Sequence, residues 1–140
     1  MGRIVAIDYG TKRTGIAVTD PEKIIATGLA TVSSHELLKY LEKYIADKHV
    51  ECFVVGDPKQ MNNLASESAK AINDFVKKLE KKFSSIPVKR FDERFTSKMA
   101  MQSIRDSGAK KSERQNKELV DMVSAVILLQ SYMESSGSRQ

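Results

Sequence analysis

The chain has few of the residues that build disulfides and zinc sites. Its 140 residues include one cysteine, Cys52, and two histidines, His35 and His49. A single cysteine excludes an intrachain disulfide, and this small set argues against a Cys/His zinc site or a Ser-His-Asp catalytic site. The longest apolar run, residues 125–129, is far too short to cross a bilayer.

The beginning of the sequence argues against a secretory signal. The carboxylate of Asp8 comes before an apolar region of the length that a signal peptide needs. We therefore expect a cytoplasmic protein that is not associated with a membrane. The length fits one domain with its own core, which we expect to span residues 1–134, with residues 135–140 as a frayed tail.

Positive charge is concentrated in the second half of the chain. The sequence has 23 Lys and Arg against 18 Asp and Glu, a net charge of +5. Residues 77–117 hold 13 basic and 5 acidic residues, a net charge of +8, and the remainder holds 10 and 13, a net charge of −3. This distribution favours a polyanionic partner such as a nucleic acid. A solvated helix face with surplus lysine is the alternative explanation.

Hydrophobic periodicity predicts three strands followed by alternating helices and strands. Residues 4–9, 14–19 and 24–32 are joined by tight turns, which predicts an antiparallel meander. A capping-box pattern at Ser33 and Glu36 then opens a first helix. The remaining predicted elements are a strand at 52–55, a helix at 65–83, a strand at 86–91, a short helix ending near 108, and a last helix opening at 112.

This order predicts an α/β fold. Three antiparallel strands followed by two α/β crossovers give a mixed five-stranded sheet, the meander plus two parallel strands, with helices on both faces. If the first, fourth and fifth strands run parallel, their carboxyl ends meet at one edge of the sheet. Functional groups of α/β sheets gather outside that edge.

Acidic residues occur in three places that could meet there. Asp8 ends the first strand, Asp92 and Glu93 follow the fifth strand, and Asp121 lies among apolar residues of the last helix. Each has an ordinary structural explanation as a turn cap or a local ion pair. Together, three carboxylates suit a hard cation such as Mg²⁺, and two such ions can promote hydrolysis of a phosphodiester.

The turn after the first strand contains residues suited to phosphate. Gly10 and Gly15 would let the backbone approach a ligand closely. Lys12 and Arg13 at the tip of the hairpin would contact phosphates or be solvated. Further candidate phosphate contacts are Arg94, Lys110, Lys111, Arg114 and Lys117.

Four blocks of sequence together resemble the YqgF (RuvX) family. They are residues 6–18 (AIDYGTKRTGIAV), 54–58 (VVGDP), 92–97 (DERFTS) and 120–130 (VDMVSAVILLQ). The blocks occur in the family's order and cover nearly the whole chain, although the first block alone is not specific. The resemblance implies a ribonuclease-H-like fold. The family is described as candidate Holliday-junction resolvases and as nucleases that mature the 5′ end of 16S ribosomal RNA.

The resemblance implies that Asp8, Glu93 and Asp121 are catalytic acids that hold Mg²⁺ or Mn²⁺. Asp92 is the substitute if Glu93 points away. The mechanistic hypothesis is hydrolysis by a metal-activated water, with Asp8 bridging two metals and the other two acids holding one each. One position departs from the family pattern: Asp57 stands where the family usually has an apolar residue. It could add a ligand or weaken phosphate binding.

These observations give one leading hypothesis and three alternatives. The leading hypothesis is a metal-dependent nuclease of structured nucleic acid, with precursor 16S ribosomal RNA preferred through the resemblance and the pre-ribosome as a further partner. A Holliday-junction resolvase would require a two-fold dimer, and the sequence leaves monomer or homodimer open. A catalytically weak RNA-binding or ribosome-associated module is the next alternative. Residues 8–11 also resemble the first phosphate loop of actin-like ATPases, but those proteins need two such domains.

Overall fold

A computed structural model describes residues 2–10, 12–57, 66–92 and 113–137, with side chains described over 2–10, 12–56, 70–91 and 121–134. The strands are β1 (Arg3–Asp8), β2 (Arg13–Thr19), β3 (Ala26–Ser33), β4 (Val50–Asp57) and β5 (Val88–Asp92). The helices are α1 (Leu37–Asp47), which follows a 3₁₀ turn (Ser34–Glu36), α2 (Ser66–Lys82) and α3 (Glu113–Gly137).

The five strands form one mixed sheet in the order β3-β2-β1-β4-β5. β2 pairs antiparallel with both β1 and β3, whereas β1 pairs with β4 and β4 with β5 in parallel. This confirms the predicted meander joined by two parallel strands. The carboxyl ends of β1, β4 and β5, at Asp8, Asp57 and Asp92, therefore end on the same side of the sheet. We call this side the carboxyl edge.

One face of the sheet packs against α1 and α2. Val5 and Ile7 of β1 are fully buried there, together with Leu37 and Leu41 of α1 and Leu79 of α2. The two α1 leucines are four residues apart, so they lie on one side of the helix. This α1/α2 face forms the larger of the two apolar cores.

The opposite face packs against α3 and includes several small side chains. Ala6 and Ala17 are fully buried there beside Cys52, and α3 contributes Leu128 and Leu129. Because successive strand residues point to opposite faces and both faces are covered, β1 reads as an unbroken apolar run. Burial raises the pKa of the Cys52 thiol above its ordinary 9.0, as expected of a core cysteine. The small side chains allow α3 to lie close to the sheet.

The element boundaries differ from the prediction by small amounts, including those of α1, β3 and α3. Ser33 makes no side-chain capping bond, and its Oγ instead lies 2.9 Å from Nδ1 of His35, so α1 begins after a 3₁₀ turn. β3 begins at Ala26, because the residues before it belong to the turn. α3 extends to Gly137, three residues into the segment expected to be frayed. The predicted short helix ending near residue 108 lies outside the described residues.

Within the four described ranges, no helix combines the length and the apolar character needed to cross a bilayer. α3 is long enough, with 25 residues, but its polar residues rule it out.

Candidate active site

Asp8 occupies the end of β1 at the carboxyl edge. Its side chain is partly exposed, while the four residues before it are buried. Asp8 is two residues after Ala6, which belongs to the core beneath α3. Because residues two apart in a strand share a face, Asp8 has a position on the α3 face. Its register partner across the β1–β2 pair is Gly15.

Gly15 brings the backbone of α3 against β2. A Cβ atom at Gly15 would overlap the carbonyl oxygen and carbon of Asp121. Since Gly15 is the register partner of Asp8, this contact fixes Asp121 on the sheet beside the position of Asp8. The expectation that Gly15 opens the hairpin to a ligand is therefore wrong: the helix backbone fills that space.

Arg13 holds the carboxylate of Asp121. Its Nε donates a hydrogen bond to Oδ2 of Asp121 at 2.8 Å, and the two side chains are 37% and 21% exposed. The residues are 108 positions apart in the sequence, and this distance hid the contact from sequence reasoning. Arg13, expected to contact phosphate, is thus the counterion of a candidate catalytic acid in this structure.

Ser34 fastens the β1–β2 turn from the α1/α2 face. Its Oγ donates to the carbonyl oxygen of Gly10, and its N–H donates to the carbonyl oxygen of Lys12 at 3.0 Å. The same Oγ lies 2.8 Å from Oγ1 of Thr14, which is fully buried. Sequence reasoning missed Ser34 because the capping-box interpretation used only its neighbour Ser33. The available signal was a second hydroxyl directly after a strand.

Two further side chains define the turn. Tyr9, directly after Asp8, stacks on Phe75 of α2 with ring centroids 4.6 Å apart and an interplanar angle of 13°. Lys12 is exposed at the tip of the turn. The turn is therefore anchored by packing and hydrogen bonds on one side, while its basic tip faces solvent.

The acids at the ends of β4 and β5 have positions on the other face of the sheet. Asp57 and Asp92 are register partners in the parallel pair. Asp57 is two residues after Val55, which is buried in the α1/α2 core. Asp92 is two residues after Arg90, whose Nη1 donates to an α2 side chain at 3.1 Å. Both acids thus occupy register positions of the α1/α2 face, opposite to that of Asp8.

Several predicted site residues lie outside the described side chains. Glu93, Arg94, Lys110 and Lys111 lie outside the described residues, and Arg114 and Lys117 lie in α3 where only the backbone is described. Of the three acids expected to form the site, the structure thus describes Asp8 and Asp121. It brings these two to the same strand position of β2.

The chemistry of these two acids fits a hard divalent cation. Carboxylate oxygens are the donors that Mg²⁺ and Mn²⁺ prefer, and Gly15 places no side chain between the strand and Asp121. The guanidinium of Arg13 already lies on the Asp121 carboxylate, so this position attracts positive charge. Among the side chains described, no three Asp, Glu, His or Cys residues come together as a metal-binding group.

Comparisons with known proteins agree with this architecture. The model of the RuvX family, described as "Holliday junction resolvase", matches residues 2–135. A protein of Bacteroides thetaiotaomicron named "Putative pre-16S rRNA nuclease" is 56% identical over 96% of this chain and 98% of its own. A protein of Phocaeicola vulgatus with the same name is 57% identical over 96% and 97%.

Two solved structures share the fold at low sequence identity. RuvC of Thermus thermophilus in complex with a Holliday junction substrate superposes with a TM-score of 0.57 and 14% identity, covering 99% of this chain and 98% of that one. Another Thermus thermophilus RuvC structure gives a TM-score of 0.53 and 15% identity, with 96% of each chain covered. These likenesses confirm the ribonuclease-H-like fold.

Proposed function

Because this chain belongs to the RuvX family, we propose that it is a metal-dependent nuclease that hydrolyses phosphodiester bonds of structured nucleic acid. The observation that carries the proposal is the convergence at Gly15: Asp8 is its register partner, and Asp121 packs against it from α3. Two acidic residues from distant parts of the chain thus lie beside the same residue of β2, at the edge where α/β sheets place their functional groups.

The proposed substrate is precursor 16S ribosomal RNA, which the protein would trim at its 5′ end in the cytoplasm. The support for RNA is the name shared by relatives more than half identical to this chain over almost its whole length. The net charge of +8 over residues 77–117 suits a polyanion. Within that segment, the described basic residues Lys77, Lys78, Lys81, Lys82, Lys89 and Arg90 are all exposed.

The proposed metal ligands are Asp8, Asp121 and Glu93, for Mg²⁺ or Mn²⁺. Asp92 is disfavoured because its register position is on the face opposite to Asp8, and the same argument applies to Asp57. When bound, the cation supplies an activated water and stabilises the charge that develops on the phosphodiester. The carboxylates of the chain hold and orient it.

The residues around these acids have separate tasks. Gly15 keeps Asp121 close to β2, and Ser34 holds the turn that follows Asp8. Lys12, exposed at the tip of that turn, is placed to attract the phosphate backbone. Arg13, Arg94, Lys110, Lys111, Arg114 and Lys117 complete the proposed set of substrate contacts.

Metal-dependent cleavage is the direct test. The wild-type protein and Asp8→Asn are incubated with a labelled precursor 16S ribosomal RNA fragment, a DNA strand of matched sequence, and a four-way DNA junction, each with Mg²⁺, Mn²⁺ or EDTA. We expect the wild-type protein to cut the RNA with either metal. We expect no cleavage with EDTA or with Asp8→Asn. Cleavage by Asp8→Asn at the wild-type rate would refute the assignment of this residue.

The other outcomes distinguish the alternatives. If every substrate stays intact while the RNA is retarded in a native gel, the protein is an RNA-binding module and the nuclease proposal is wrong. If the four-way junction is the substrate that is cut, the description of the family as Holliday junction resolvase applies to this chain. Symmetric cutting of a junction calls for a two-fold dimer. A monomer by sedimentation at working concentration would count against that reading.

A further inference from the structure

Under the proposed function, the carboxylate of Asp121 has two partners that repel each other, the guanidinium of Arg13 and a divalent cation. The guanidinium is the counterion of Asp121, with Nε 2.8 Å from Oδ2. The proposed function requires the same carboxylate to hold a divalent cation. A divalent cation at Asp121 would lie next to a positive guanidinium, so the two would repel each other. Binding of the metal therefore weakens the contact between Arg13 and Asp121.

The position of Arg13 leaves its guanidinium room to contact a phosphate. Arg13 opens β2 directly after the exposed Lys12, at the turn that faces solvent. Its own side chain is 37% exposed, so it has room to leave Asp121 without breaking a buried core. Phosphate oxygens are strong acceptors for the planar guanidinium fork. Under the proposed function, the phosphates of a bound nucleic acid would supply these acceptors at the carboxyl edge.

The backbone beneath this side chain is held fixed. Ser34 restrains the turn, since its Oγ donates to the carbonyl oxygen of Gly10 and its N–H donates to the carbonyl oxygen of Lys12. A change of partner by Arg13 therefore requires rotation of one side chain and no movement of the turn. Rotations of partly exposed side chains are fast compared with typical turnover.

We propose that Arg13 couples metal binding to nucleic-acid binding: it neutralises Asp121 in the metal-free protein and turns to a substrate phosphate once a divalent cation occupies that carboxylate. This inference rests on the proposed nuclease function and adds to it a coupling between its two ligands, the metal and the nucleic acid. Coupling of this kind is reciprocal, so the nucleic acid also strengthens metal binding. Arg13 is thus a positioning residue in one state and a phosphate contact in the other.

Three variants distinguish this coupling role from a general effect of positive charge and from structural support of Asp121. Arg13→Gln removes the charge and keeps a hydrogen-bond donor, Arg13→Lys keeps the charge, and Lys12→Gln removes one charge from the adjacent position. Circular dichroism verifies that each variant is folded. Mn²⁺ affinity is measured by electron paramagnetic resonance without nucleic acid. Affinity for a fluorescent precursor 16S ribosomal RNA fragment is measured by anisotropy with Ca²⁺ and with EDTA, and a gel verifies that the RNA is uncut.

The expected results have opposite directions for the two ligands. Arg13→Gln binds Mn²⁺ about two- to fivefold more tightly than the wild type, since the metal no longer displaces a partly exposed counterion. Lys12→Gln and Arg13→Lys stay within about twofold of the wild type. The gain in RNA affinity caused by Ca²⁺ is equal in the wild type and Lys12→Gln, and about fivefold smaller in Arg13→Gln.

The outcomes that overturn the inference differ from those that overturn the proposed function. Weaker Mn²⁺ binding by Arg13→Gln would mean that Arg13 only supports Asp121. An equal Ca²⁺-dependent gain in Arg13→Gln and Lys12→Gln would mean that Arg13 makes no metal-dependent phosphate contact. Either result refutes the coupling and leaves the nuclease intact. If the wild-type protein bound neither Mn²⁺ nor the RNA fragment, the proposed function itself would be wrong.

Discussion

The two hairpins of the meander carry the same kind of contact at opposite ends of the sheet. At the β1–β2 hairpin, Arg13 pairs with Asp121 of α3. At the β2–β3 hairpin, Nζ of Lys23 donates to both carboxylate oxygens of Glu51 in β4, at 2.7 and 3.0 Å. In each case a basic side chain of a turn ties that turn to a distant element. Because the second pair has two hydrogen bonds and the first has one, contact geometry alone would favour the second pair as a functional contact.

The surroundings of the two carboxylates distinguish them. Asp121 lies against the backbone of β2, beside the register position of a second acid at the carboxyl edge. Glu51 lies at the other end, near the start of β4, with a side chain 41% exposed. The comparison indicates that an ion pair supports a candidate functional site where the fold also brings a second acid beside it.

Asp8→Asn should have the largest effect in a test of this comparison. Asparagine has the same shape but loses the charge that attracts a divalent cation, so cleavage of the RNA fragment should fall more than about 100-fold, beyond the effect of residues that only support a metal ligand. The matched change at the other end, Glu51→Gln, should leave cleavage unchanged. Cleavage rates with Mg²⁺, together with circular dichroism spectra, measure both effects.

Gly15→Ala should have the next largest effect, because it displaces α3 at Asp121. Its new methyl group would overlap backbone atoms of the helix, which cannot rotate away. We expect a loss of about 1–3 kcal/mol of stability, measured by urea unfolding. Because the displacement occurs at Asp121 itself, the variant should also lose cleavage at temperatures where it remains folded.

Gly28→Ala is the matched control for that change. The added Cβ would lie 2.7 Å from Cγ and 3.0 Å from Sδ of Met122, the neighbour of Asp121 on the same helix. A methionine side chain is flexible and can repack, so stability should change by less than about 1 kcal/mol, with cleavage retained. Equal losses in the two variants would mean that the distance of α3 from the sheet matters, and not the particular contact at Asp121.

Ser34→Ala should have a moderate effect on the same end of the molecule. The change removes the hydrogen bond to Gly10 and leaves the buried Thr14 hydroxyl without its Ser34 partner. The expected loss of stability is about 1–3 kcal/mol, with a moderate decrease in cleavage. Ser33→Ala, one residue away, should be nearly neutral, because the Ser33 hydroxyl contacts an exposed histidine ring. Thermal unfolding of both variants would reverse this assignment if Ser33→Ala were the less stable.

The sheet was predictable from the sequence because both of its faces are buried. The unbroken apolar runs of β1 and β4, and the tight turns around β2, permit few arrangements, and the parallel strands then follow from the two helical crossovers. The start of α1 was not predictable, since Ser33 and Glu36 fit a capping box that the chain does not form. Local hydroxyls there are used by the tertiary structure.

The site was predictable as a set of residue types but not as a set of contacts. Asp8 and Asp121 are predictable as candidate site residues because a carboxylate among apolar residues is costly without a partner. The partner of Asp121 is Arg13, and a contact between residues 108 positions apart leaves no local pattern. The contact at Gly15 is not predictable for the same reason, since a glycine in a strand does not reveal whether a ligand or a helix approaches it.

The pair between Lys23 and Glu51 should give the smallest effect, and its effect should depend on pH. The hydrogen bond from Lys23 holds the pKa of the Glu51 carboxyl below its usual 4.5. Because the folded pKa is lower than the unfolded one, the contribution to stability is complete above about pH 4.5 and disappears as the pH falls through the folded pKa. Both side chains are about one-third exposed or more, at 34% and 41%, so solvent screens the pair. We expect about 0.5 kcal/mol or less.

Urea unfolding of the wild type and Glu51→Gln at pH 7 and at pH 3 measures this contribution. At pH 7 the wild type should be slightly more stable, by an amount that decreases with added salt, and at pH 3 the two should converge. Cleavage at pH 7 should be the same in both proteins. If Glu51→Gln instead reduced cleavage or changed Mn²⁺ affinity, the two ends of the sheet would be coupled. The ion pair at the β2–β3 hairpin would then belong to the active site, despite lying at the opposite end of the strands.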